Sequence, residues 1–185
     1  MISKIAGLSI AIAVTGCLVA GCASSSSAKS SPTSVAAGSS PASTVSFDDV
    51  TVTGASTLSS KPTVTAKSAQ VPSGLEVKDL VTGTGAAATP ASKVTVQYVG
   101  VRYADGKQFD ASWDHGGAIS FSLQQVVPGF TQGIGGAPGV TPMKIGGRRL
   151  MILPAALGYG ATGTQDGSIP PNAPIVFVVD LVGVS

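Results

Sequence analysis

Covalent and metal chemistry have little to work with in this chain. Its one histidine, His115 in the loop WDHGG, has no cysteine or carboxylate cluster beside it of the kind a metal needs. A serine–histidine–acid triad would have to use that same ring, and no GxSxG turn accompanies it. The only cysteines are Cys17 and Cys22, so nothing after residue 22 can supply a disulfide, a thiolate nucleophile or a zinc site. The glycine-rich GIGGAPGV lacks the Gly-Lys-Ser/Thr of a phosphate loop. Charge is scarce as well. From Val71 onward seven Lys/Arg balance seven Asp/Glu, which leaves no basic stripe for nucleic acid. Arg148-Arg149 is too small a doublet for such a patch, and on a strand its side chains point to opposite faces. Asp110 and Asp114 share one loop without the separate roles that glycosidase carboxylates require. No metal and no cofactor is expected.

What is there begins at the N-terminus. Lys4 precedes an apolar run, Ile5–Ala20, that is short for a membrane span of about 20 residues and fits a secretory signal. The run ends in LVAGC, Leu18 to Cys22, which resembles the bacterial lipobox. That resemblance implies removal of residues 1–21 and a diacylglyceryl group on the Cys22 thiol. Two acyl chains anchor stably where one would be marginal. Residues 22–44 are Ser, Ala and Pro with almost no apolar bulk, a tether that cannot bury a core. Its typical reach is about 25 Å. The expected location is the outer face of the bacterial cytoplasmic membrane, with the membrane held through Cys22.

Residues 45–70 are β-prone but broken into short pieces, and the sequence leaves open whether they form edge strands or a loose extension. From residue 71 to 185 the pattern tightens. Leu75–Val81 and Lys93–Tyr103 alternate apolar and polar residues as half-buried strands do. Asp105-Gly106 predicts a two-residue hairpin turn between two runs. Ile119–Leu123 and Arg148–Leu153 read as strands, the latter stopped by Pro154. Ile175–Val184 reads as the most buried strand. Pro128 can open a short helix, Pro128–Ile134, because the first helical position needs no N–H. Five or six strands and one helix predict an α+β domain on an antiparallel sheet.

Four blocks complete the reading: VTVQYVGVRYADGKQFDAS, FSLQQVVPGF, MKIGGRRLMILPAALGYG and IPPNAPIVFVVDLV. In identity, order and spacing, residues 71–185 resemble the FKBP-type peptidyl-prolyl cis-trans isomerases. The resemblance implies an antiparallel sheet curled around one short α-helix, with an apolar pocket between. It implies walls from Tyr98, Phe109, Phe121 and Phe177, a helix entry at Val126 and Val127, and a floor at Phe130. Asp110 is the carboxylate inside, which either polarises the surroundings of the rotating carbonyl or orients Tyr98. Tyr159 supplies a hydroxyl and Ile169 a backbone N–H for the peptide carbonyls. The implied catalytic set is thus Phe109, Asp110, Tyr159 and Ile169. The implied partners are proline-containing polypeptides and ligands of the macrolide immunosuppressant type, with the protein a monomer. The alternative is the same pocket used as a binding or chaperone module with little turnover. The chain departs from the family at several places. Phe130 stands where Trp is common, Ile119 replaces an aromatic, and His115 falls near a position often held by Arg. Gly135–Pro142 looks like an insertion, and GTQDGSIPP carries one added residue.

Overall fold

The computed structural model describes residues 43–185. The signal, Cys22 and the tether up to residue 42 lie outside the described residues. In chain order the strands are β1 Thr44–Phe47, β2 Val50–Thr53, β3 Thr63–Ala66, β4 Glu76–Val81, β5 Lys93–Arg102, β6 Gln108–Ala111, β7 Ile119–Ser122, β8 Arg148–Leu153 and β9 Ile175–Val184. The helix α1, Pro128–Gly135, falls between β7 and β8, with proline in its first turn.

β4 to β9 form one antiparallel sheet in the order β4-β8-β9-β5-β6. β7 lies on the same edge of β5 as β6, paired along the first part of that long strand, while β6 takes its far end. The antiparallel sheet, with one α-helix among the described residues, is the expected α+β fold. Alternation along the central strands sorts side chains to two faces. Val94, Val96, Met151, Leu153, Ile175, Phe177, Val179 and Leu181 face one core, which Phe130 and Ile134 of α1 complete. Val99, Val101, Leu150, Ile152, Val176 and Val178 face a second core on the opposite side.

Residues 45–70, open between two readings in the sequence, supply what covers that second face. β1, β2 and β3 make a separate three-stranded antiparallel sheet in chain order. Its Val50, Val52, Val64 and Ala66 are packed into the second core. β8 and much of β9 are therefore buried on both sides, which is why Ile175–Leu181 carries almost no polar residue.

The arginine doublet joins the layers. Arg148 turns toward the added sheet. It is fully buried, pairs with Asp180 at 2.5 and 2.6 Å, and donates to the carbonyls of Gly54 and Ser60. Burial pushes the Asp180 carboxyl up, and the guanidinium beside it pulls the other way. Arg149 turns toward the helix, pairs with Asp79, and donates to the carbonyls of Gly133 and Thr141. Buried charges need this kind of full pairing.

The hairpin after β5 differs from expectation. Arg102 N–H donates to Lys107 O at 2.9 Å, so the connection is four residues long, Tyr103–Gly106. Tyr103 continues the alternation of Val99 and Val101 into the second core, where its hydroxyl donates to Asp48 O, while its N–H donates to Pro174 O. Asp105 then closes the loop by accepting from the Arg102 guanidinium and the Lys107 N–H. Gly106 takes the positive φ, 69°, that the turn requires.

Candidate active site

Between α1, β5, β6, β7 and β9 lies a cavity of about 410 Å³. It is lined by Tyr98, Phe109, Asp110, Ile119, Phe121, Gln125, Val126, Val127, Phe130, Tyr159 and Phe177. Six of the chain's nine aromatic residues are in that lining, so a chain poor in rings concentrates them on one surface.

The rings fix one another edge to face, the arrangement their quadrupoles favour. Phe130, in the first turn of α1, meets Phe177 of β9 with centroids 4.6 Å apart and planes at 86°. Phe109 of β6 stands against Phe177 at 5.5 Å and 90°. Tyr98 lies 6.1 Å from Phe177 and 6.3 Å from Phe130, and Phe121 lies 5.9 Å from Phe130. Gly100 makes room for this packing. A Cβ there would come within 2.6 Å of the Phe109 ring and 2.8 Å of Phe177.

One carboxylate enters this apolar surface. Asp110 accepts the Tyr98 hydroxyl at 2.5 Å through one oxygen, and its other oxygen lies 3.1 Å from His115 Nε2. Burial, and then the hydrogen bond to Asp110, push the Tyr98 hydroxyl well above its ordinary value, so it remains a donor. The Tyr98 backbone is pinned as well, its N–H donating to Ser112 Oγ at 2.9 Å. Ser112 is fully buried and also donates to Gln97 Oε1. Tyr159 stands at the rim, 37% exposed. Burial of its ring and the nearby Asp110 charge push its hydroxyl up also.

Nine of the ten expected pocket residues meet at this cavity, and Ile169 does not. Ile169 is 2% exposed within the helix-side core. Its N–H donates to Thr164 Oγ1 at 3.0 Å, and its carbonyl accepts from the Thr164 N–H. That donor is closed off by the turn of GTQDGSIPP, whose Asp166 carboxylate in turn holds Ser168. A different backbone donor is available. Val127 lies in the cavity wall immediately before α1, and among the described residues no acceptor takes its N–H. Pro128 hides this in the sequence, because the proline marks the helix start without showing that the preceding N–H is left over. Gln125 also reaches the lining, and nothing in the alternation around it indicated so.

The Gly135–Pro142 insertion contributes no residue to the cavity. It turns back on itself through Ala137 and Val140, and Arg149 holds its Thr141 carbonyl at 2.7 Å. Among the described residues no three His, Cys, Asp or Glu side chains are grouped to hold a metal ion. The arrangement has no nucleophile placed beside a base. It offers a walled apolar cavity, a hydroxyl at the rim and a backbone N–H in the wall.

The model of the family described as FKBP-type peptidyl-prolyl cis-trans isomerase matches residues 85–182. A protein of Streptomyces anulatus named FK506-binding protein is 42% identical over 126 residues, covering 67% of this chain and 97% of that one. A probable FK506-binding protein of Corynebacterium glutamicum is 36% identical over 122 residues and is covered to 97%. Among solved structures, the crystal structure of AtFKBP13 matches with a TM-score of 0.57 at 33% identity, covering 65% of this chain and 98% of that one. The crystal structure of FkpA from Escherichia coli matches with a TM-score of 0.54 at 35% identity, covering 65% of this chain and 51% of that one.

Proposed function

The chain belongs to the FKBP-type peptidyl-prolyl cis-trans isomerase family, and we propose from that premise that it turns over X–Pro bonds of exported polypeptides while anchored by lipid at Cys22. The reaction itself comes with the family: rotation about the bond before proline. Its barrier of about 18–20 kcal/mol is the loss of amide resonance. Uncatalysed exchange therefore takes roughly tens to hundreds of seconds.

No bond has to be made or broken, which suits a site without a nucleophile. The twisted amide is less polar than the planar one, so an apolar surface penalises the ground state more than the transition state. In this reading Phe109, Phe130 and Phe177 hold the proline ring. The Val127 N–H and the Tyr159 hydroxyl take the flanking carbonyls. Asp110 keeps Tyr98 oriented and sets a negative charge beside the rotating group. A 10⁵-fold acceleration requires about 7 kcal/mol of interaction that is stronger in the transition state than in the ground state. The observation that carries the assignment is the ring-walled cavity with one carboxylate bound to Tyr98. Its volume is within the roughly 300–1,000 Å³ of small-molecule sites. We extend to it the macrolide class of ligand for which its relatives are named, and take the protein to act as a monomer.

The location rests on LVAGC and the Ser-rich tether. Cys22→Ser should leave the protein unprocessed or release it from membranes. Mass spectrometry of the wild-type N-terminus should find a diacylglyceryl cysteine. A wild-type chain without lipid, equally soluble before and after the substitution, would overturn the anchor and leave the isomerase assignment standing.

A further inference from the structure

The family model begins at residue 85, so the sheet β1–β3 and the loops around it lie outside the matched region. The loop between β2 and β3 reaches the active-site loop at Asp114, beside a tryptophan that faces the core this sheet covers. Trp113 packs its ring against the second core, which the added sheet helps to build. Asp114 accepts from Lys61 Nζ at 2.7 and 2.9 Å through both oxygens. Lys61 belongs to the loop between β2 and β3. The next residue is His115, whose ring meets Asp110.

The geometry points to Lys61 as a positioning residue of the isomerase site, holding the turn 112–116 so that His115 stays against Asp110. The turn is fixed at its start by buried Ser112 and closed by the Gly117 N–H on Ser112 O. Its outer limb has other holds. Asp114 is gripped from one side by Lys61 and from the other by Gln108 Nε2 at 2.8 Å. Gln108 lies on β6, two residues before Asp110, so the turn is tied to the strand that carries the site's acid. Lys61 is itself held in place: the carbonyl of its neighbour Ser60 accepts from Arg148, which is locked on Asp180. His115 is 67% exposed, so little packing keeps it in position. Without Lys61 the ring gains freedom, and Asp110 loses a partner on the side away from Tyr98. The inference rests on Asp110 acting in the site.

The test is a double-mutant cycle on the full chain, reading kcat and KM for an X–Pro peptide beside melting temperature. An exposed ion pair contributes little to stability, so Lys61→Met should leave melting nearly unchanged while kcat/KM falls roughly two- to five-fold. Lys61→Arg, which keeps the charge and can still meet Asp114, should restore activity. In a His115→Gln background the Lys61→Met effect should vanish, because the route runs through that ring. Full activity in Lys61→Met, an undiminished effect in the His115→Gln background, or a loss that tracks melting would each overturn the proposal. Asp110→Asn separates the underlying reading. If it is silent, both the role of Asp110 and the Lys61 route fall. If it lowers kcat/KM while Lys61→Met does not, only the Lys61 route falls.

Discussion

Val127 and Ile169 show how much a single backbone N–H decides. Val127 has φ −58° and ψ 145°, and Val126 before it is extended at φ −118°. Those angles admit proline at 127 without strain. Val127→Pro should therefore keep the fold while deleting that N–H from the wall. Against Val127→Ala, which controls for the lost side chain, kcat/KM should fall about five-fold, as removal of one hydrogen bond implies. Equal values for the two variants would remove the Val127 N–H from the mechanism. Tyr98 makes a second prediction. Its folded hydroxyl is held well above its ordinary value of 10.0 by burial and by Asp110. In the unfolded chain it ionises near pH 10. The stability it contributes is therefore complete below pH 10 and is lost as pH rises beyond it. Denaturant unfolding between pH 8 and 11 should show the wild type losing stability more steeply than Tyr98→Phe, and parallel curves would contradict this. Phe177 was legible in the sequence because motif and strand alternation agree on where it points, whereas Phe109 and Asp110 are neighbours on β6 that both line the cavity, which alternation alone would not give and only the motif indicated. Ile169 misled, because whether its N–H is free depends on Thr164, five residues away across a turn.

At the scale of elements, β5, β8, β9 and α1 were written in periodicity and in Pro128. The four-residue turn at Tyr103–Gly106 was not. Asp105-Gly106 alone favours a tighter turn, but Tyr103 has a better place in the second core. The added sheet was the least legible element, because strands of four residues carry too little pattern to separate pairing from loose extension. Its function in stability follows from the core it covers. A chain beginning at Val71 would uncover Val99, Val101, Leu150, Ile152, Val176 and Val178, at about 1.5–3 kcal/mol for each side chain fully returned to water. It would also strip Arg148 of its Gly54 and Ser60 carbonyls. That truncated chain should aggregate or melt roughly 10 °C or more below the longer one. A fragment melting with the full chain would show that the second core contributes nothing to the fold.

Across the described residues the isomerase sheet is covered on both faces, by a helix and aromatic cavity on one side and by an added sheet on the other. The two buried arginines, neighbours on β8, tie both coverings to the same strand. The central claim is that the aromatic cavity lowers the barrier to X–Pro rotation rather than merely binding proline. The most direct measurement is cis-to-trans exchange of an X–Pro peptide in a protease-coupled assay, with and without the purified chain. The account predicts saturable acceleration of the order expected for about 7 kcal/mol, suppressed by a macrolide that competes for the cavity. Peptide bound in the cavity yet exchanging at the uncatalysed rate would contradict it.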